Sequence, residues 1–130
     1  MIEQTELIVN EWHYHPPVNS FNTVEKISSF ISFDVMKKRA GFKKGIACRF
    51  SCRFIFENEM ILEYVAEDSY VIDLEDLIDK YELQTMIRNS YSKFKEEFDM
   101  RKSGTVLQNK SLMVLDETSI DFDSILQLLI

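Results

Sequence analysis

Residues 60–73, MILEYVAEDSYVID, run into a helical stretch that ends at Arg101-Lys102-Ser103-Gly104, and a polar connection then leads to residues 119–130, SIDFDSILQLLI. The first piece alternates as a strand does: Met60, Leu62, Tyr64 and Ala66 take one side, Ile61, Glu63, Val65 and Glu67 the other. The last piece places Phe122, Ile125, Leu126, Leu129 and Ile130 at i, i+3, i+4, i+7 and i+8, the stripe of a short amphipathic helix. A strand, a long helix and a second, short helix in this order predict an α+β chain whose apolar helix stripe must pack on something.

Upstream, the alternation continues. In residues 46–54, IACRFSCRF, one side carries Ile46, Cys48, Phe50, Cys52 and Phe54, joined by Phe56, and Arg49, Ser51 and Arg53 oppose it. Glu57-Asn58-Glu59 punctuates the chain, so this strand and the next should form an antiparallel hairpin. Before it, residues 26–35 put Ile27, Ile31, Phe33 and Val35 on one side and Ser28, Ser32 and Asp34 on the other, with Phe30 and Met36 spoiling the polar side. Leu7 to Tyr14 reads as the first strand, ended by Pro16-Pro17. The expectation is a four-stranded antiparallel meander with one strongly apolar face, in a single domain spanning residues 1–130. The other face still carries Phe30, Ile55, Ile61 and Val65, a half-apolar surface suited to a neighbouring subunit.

Two helix starts are legible. Asp73, with Ile72 and Leu77 as staple, suits the first, and Asp121, with Ile120 and Ile125, suits the second. Between them Leu74, Leu77, Ile78 and Tyr81 form one stripe, while Ile87, Tyr91, Phe94 and Phe98 form another on the opposite side of the same helix. Either the helix breaks near Glu82-Leu83 or a continuous helix is sandwiched between two bodies; the break is favoured. The long helix then runs to Lys102, with Gly104 as its C-terminal cap.

Composition narrows the function. A 45% hydrophobic share with three Gly and two Pro excludes a disordered chain. The net charge of −7 opposes general nucleic-acid binding, because phosphate repels an acidic surface. No apolar stretch approaches the roughly 20 residues of a membrane span, and the acidic start MIEQTELIVNEW lacks the pattern of a signal peptide, so a cytoplasmic location is expected. The basic cluster Lys37 to Gly45 reads as a solvated loop punctuated by Gly41 and Gly45, or as a contact for an acidic partner.

Chemistry is sparse. On a strand, Cys48 and Cys52 start roughly 13 Å apart, too far for a disulfide or a shared zinc, which makes both small core hydrophobes. His13, His15 and Glu11 share a strand face but read as surface groups rather than a metal site. The carboxylates from Glu63 to Asp79 read as a solvated sheet face plus a helix start, not a catalytic pair. Neither phosphate-binding glycine motif occurs. The chain is expected to be no enzyme and to need no cofactor or metal. Its apolar wealth, with ten Phe, six Met and one Trp, suits binding of flexible partners.

The stretch MIRNSYSKFKEEFDMRKSGT resembles the long helix of the SecB-like export chaperones, with Arg88 near its start and Lys102, Gly104 and Thr105 in the closing turn. SLMVLDETSIDFDSIL resembles the segment that follows in that family, through Leu112, Phe122 and Asp123, with Asp121 where asparagine is usual. The family's proline before the last helix is replaced by the neighbourhood of Asp116-Glu117, and the sequence ends without the polar tail that contacts the Sec motor. The resemblance implies an ATP-independent holdase that binds non-native segments in apolar grooves of a homo-oligomer, dimer or tetramer. Protein export and service to a toxin–antitoxin pair stand as alternative settings. A dedicated adaptor or structural subunit for one partner, for example an antitoxin, is the competing reading. The oligomer interface is expected at Ile55, Ile61 and Val65 of the sheet and at Ile87, Tyr91 and Phe94 of the helix. The client surface is expected along the sheet edge and under the helix connection, at Trp12, Tyr14, Phe21, Phe30 and Phe42.

Overall fold

In the computed structural model, which describes residues 2–17, 26–40, 43–73 and 77–128, a single antiparallel sheet is covered on one face by the helices. Its strands are β1 (Ile2–Gln4), β2 (Ile8–Tyr14), β3 (Ser28–Ala40), β4 (Lys43–Phe56) and β5 (Glu59–Asp73). Helix α1 spans Lys80–Arg101, and after a 3-10 turn at Glu117–Ser119 the short α2 spans Phe122–Leu128. The expected α+β architecture is what forms: four strand positions, a long helix and a short one.

The strand order corrects the expected meander. β3, β4 and β5 do follow one another as hairpins, but β1 and β2 lie along the far edge of β5, giving the order β1/β2–β5–β4–β3. Chain proximity would favour β2 beside β3. Burial decides otherwise. β5 buries side chains toward both faces, Leu62, Tyr64 and Ala66 on one and Val65 on the other, so its stable place is central with both edges paired. β3, with Ser28, Ser32 and Asp34 in solvent, forms the opposite edge beyond β4.

The hairpin at residues 57 and 58 forms where expected. Glu57 and Asn58 both take positive φ, 49° and 63°, the backbone that a tight two-residue turn between twisted strands needs. The basic cluster is another correction. It is not a loop, because β3 runs to Ala40 and β4 starts at Lys43, with Arg39 opposite Lys44. Extending the ladder this far satisfies backbone groups that a loop would leave to water.

Helix α1 also departs from expectation. No break occurs at Glu82-Leu83; the helix begins at Lys80, and Leu77–Asp79 before it are not helical. Asp73 is the last residue of β5 and does not cap α1. The cap is Asp79, whose carboxylate accepts from the Glu82 amide at 2.7 Å while the Glu82 side chain reaches back to the Asp79 amide. The conflict between two opposite stripes dissolves because Leu77 lies outside the helix and Tyr81, at its start, is exposed. One stripe remains: Leu83, Met86, Ile87, Ser90, Tyr91, Phe94 and Phe98, all buried on the sheet. Gly104, at φ +80°, turns the chain away just past the helix end.

The core lies between α1 and the inner sheet face. Phe94 stacks on Tyr64 with centroids 4.2 Å apart, and Phe98 stacks on Phe54 at 5.5 Å. The Tyr64 hydroxyl donates to the Phe94 carbonyl, so this buried phenol is satisfied. Cys48 and Cys52 are wholly buried among these rings, and burial pushes both thiols up to about 12. Neither thiol should react with iodoacetamide at pH 8 in the native protein, and both should react once urea unfolds it. Mass spectrometry of the labelled chain reads this directly; one modified cysteine under native conditions contradicts the packing.

Candidate functional site

A groove of roughly 480 Å³ lies at the β3 edge of the sheet. Its floor is the inner side of β3, where Ile31, Phe33 and Val35 alternate toward the helix layer, together with Tyr91 of α1. Its walls are the connection through Met113, Val114 and Leu115 and the face of α2 that carries Ser124, Ile125 and Leu128. β4 buries its inner row beneath α1, but β3 lies one strand further out, where the helix no longer covers it fully. Ile31, Phe33 and Val35 are therefore left half-buried, with α2 and the connection arching over them.

That arch is held at defined points. Leu107 and Leu112 sink into the core. The Tyr91 hydroxyl donates to the Met113 carbonyl, and burial raises this phenol to about 12, which keeps it a neutral donor. Arg88 Nε meets Glu117 Oε1 at 2.6 Å, tying the 3-10 turn to α1. Asp116 caps that turn through the Thr118 amide. Asp121 caps α2, as the sequence suggests, accepting from the Ser124 amide at 3.2 Å and the Ser124 hydroxyl at 2.7 Å. These two bonds hold the Asp121 carboxyl below its ordinary range, the hydroxyl more strongly than the amide. With the folded value lowered, the cap is intact above the ordinary carboxylate pKa and weakens as pH falls through the lowered one.

Between these anchors, Met113 and Val114 remain exposed at the rim. The charged lining residues are Asp34, Asp116 and Asp121, with no Lys or Arg among them. The groove thus combines an apolar floor, adaptable methionine at its lip and an acidic rim, which favours apolar groups and disfavours anionic ones. No group of three or more His, Cys, Asp or Glu that could hold a metal comes together among the described residues.

Of the client residues expected from the sequence, Trp12, Tyr14 and Phe30 do not line this groove. Trp12 and Tyr14 lie on β2, with β5 and β4 between them and β3. Trp12 packs edge-on against Tyr64 at 5.2 Å beneath the Arg101 guanidinium. The Tyr14 hydroxyl accepts from the Val106 amide at 3.0 Å. Both residues thus pin the end of α1 within the chain. Phe30 is on β3 but on its outer side, 56% exposed and opposite Arg53. Phe21 and Phe42 lie outside the described residues.

Of the expected interface residues, Ile87 and Phe94 are fully buried in a single copy and Tyr91 nearly so, because one helix stripe has to seal the sheet. Ile61 and Val65 are also covered within the chain, and Ile55 is half-buried. The outer sheet face instead shows cross-strand rows such as Asp34–Arg49–Glu67 and Phe30–Arg53–Glu63, with Arg53 and Glu63 3.7 Å apart. The general location, sheet edge and helix connection, holds the groove; the residues that line it were legible only as the apolar sides of β3 and α2.

No family model matches the sequence, and no curated protein matches it. Solved structures do. A SecB-like chaperone of Mycobacterium tuberculosis, determined in complex with a ChAD peptide from the HigA1 antitoxin, superposes with a TM-score of 0.53 at 14% identity, over 88% of this chain and 90% of that one. A protein of unknown function from Streptococcus agalactiae has a TM-score of 0.48 at 11% identity, over 89% of this chain and 97% of that one. No helix among the described residues is long and apolar enough to cross a membrane. What the first likeness shows is the fold, which is that of a SecB-like chaperone.

Proposed function

We propose that the chain is an ATP-independent holdase that binds non-native polypeptide segments in the groove between β3, the helix connection and α2, without catalysis and as part of a homo-oligomer. The observation that carries this reading is the uncovered apolar floor of Ile31, Phe33 and Val35 beneath an arch pinned open by Tyr91 and Arg88. Burial at about 25 cal/mol per Å² makes one such groove a weak site after ordering costs, and linked grooves gain through effective concentration. Exposed Ile8, Leu77, Tyr81 and Met100 offer apolar area for association between copies. A second reading, an adaptor for a single partner such as an antitoxin, draws support from the antitoxin peptide carried by the neighbour of like fold.

The test is aggregation suppression with several unrelated denatured proteins. Val114→Asp with Leu128→Asp places two carboxylates at the exposed lip of the groove, where the fold tolerates them within about 0.5 kcal/mol. Suppression should fall roughly 10-fold per mole of chaperone, the loss expected for about one buried aliphatic side chain. Phe30→Asp, on the outer side of β3, should leave it unchanged. Protection of one partner but of no unrelated client favours the adaptor, and a protein that suppresses nothing and binds no partner ends both readings.

A further inference from the structure

Asp34 belongs to the outer face of β3, paired with Arg49, whereas its neighbours Phe33 and Val35 face inward. All three nevertheless line the same groove. Successive residues of a strand point to opposite faces, so a cavity lined by all three reaches the main chain of β3 between Phe33 and Val35. β3 is a terminal strand of the sheet, and among the described residues no strand or other backbone group hydrogen-bonds to its outer side. The groove therefore combines an apolar floor with an open row of amides and carbonyls, an arrangement that sheet edges use to recruit an extra strand.

Resting on the client-binding reading above, we infer that the groove takes its occupant as an added β-strand: an extended partner segment beside β3, hydrogen-bonded to its free edge. Apolar side chains at alternate positions turn onto Ile31, Phe33 and Val35. The intervening positions face solvent on the outer side beside Asp34, so Lys or Arg there complements its charge, and the Asp116 and Asp121 carboxylates on the arch disfavour an acidic segment. An amphipathic helix is the poorer occupant, because its backbone is already paired and about 10 Å of width cannot follow a strand edge. A second copy of β3 is also disfavoured: the two-fold register centred on Ser28–Ala40 sets Asp34 against its own symmetry mate.

The probe is a labelled peptide of about nine residues, long enough to span the floor, that alternates valine or isoleucine with lysine and threonine. Two further copies carry N-methyl groups on alternate amides, in opposite phase, with identical side chains. Titrated into the full chain, at least one phase should bind roughly 10-fold more weakly than the parent, because methylation blocks the amides facing β3. On binding of the parent, alternate amides between Phe30 and Met36 should gain protection from hydrogen exchange. If both methylated peptides bind within about 2-fold of the parent, or the β3 amides stay unprotected, strand addition is overturned while the groove reading stands. If the parent peptide fails to bind although denatured proteins are held, the inference again falls alone; if neither is held, the holdase reading falls with it.

Discussion

Phe94→Ala is expected to destabilise the protein by about 3–5 kcal/mol, a large part of the roughly 5–15 kcal/mol that holds a domain folded. Phe94 is fully buried at the centre of the helix–sheet interface. Its ring stacks on Tyr64 at 4.2 Å with planes 3° apart, and it also meets Phe50 at 5.3 Å and Tyr91 at 6.1 Å. Truncation removes those contacts and leaves a cavity among aromatic rings too large to close around it. Urea denaturation followed by tryptophan fluorescence would report it, since Trp12 packs edge-on against the same Tyr64. A loss below about 1 kcal/mol would mean that α1 does not seal the sheet as described.

Asp68→Ala should cost about 2–3 kcal/mol, through polar rather than apolar contacts. Asp68 is fully buried, yet its carboxylate accepts from Gln4 Nε2 at 2.7 Å and the Ser90 hydroxyl at 2.7 Å. Lys93 Nζ lies 3.4 Å away and also donates to the Thr5 carbonyl. Alanine would leave those donors facing an apolar gap. Lys93, about a third exposed, can turn to water, which keeps the cost at the lower end for a buried pair. Since Gln4 and Thr5 belong to β1 and the turn after it, amide exchange should accelerate in β1 far more than in β4. Uniform acceleration across the sheet would contradict this local role.

Ser90 illustrates what a linear reading misses. It falls on the buried side of α1 in a stripe of large apolar residues and reads as a flaw, until the sheet places Asp68 against it. Asp68 itself reads as a solvated acid in an acidic run; only the pairing of β5 with β1 and β4 reveals that it points inward beside Cys48. The stripe of Leu77 and Tyr81 misled for a related reason. Its helical spacing runs across residues 77–79, which are not helical.

The groove was half legible. The inward row Ile31, Phe33 and Val35 is plain from alternation, and the α2 face from helical spacing. That these two surfaces meet, leaving an uncovered strip between them, depends on β3 being an edge strand. Alternation carries no information about which strand is the edge.

The sequence by itself determined the central parts of β2 to β5 and of both helices, their inward sides, the capping of α2 by Asp121 and the burial of both cysteines, because these follow from side-chain chemistry repeated at local periods of two or 3.6 residues. Only the tertiary structure decided the strand order, the single stripe of α1, the Asp68–Ser90–Lys93 cluster and the groove beside β3. Each of those is settled by competition among distant segments for the same apolar area and the same backbone partners, and no local period records its outcome.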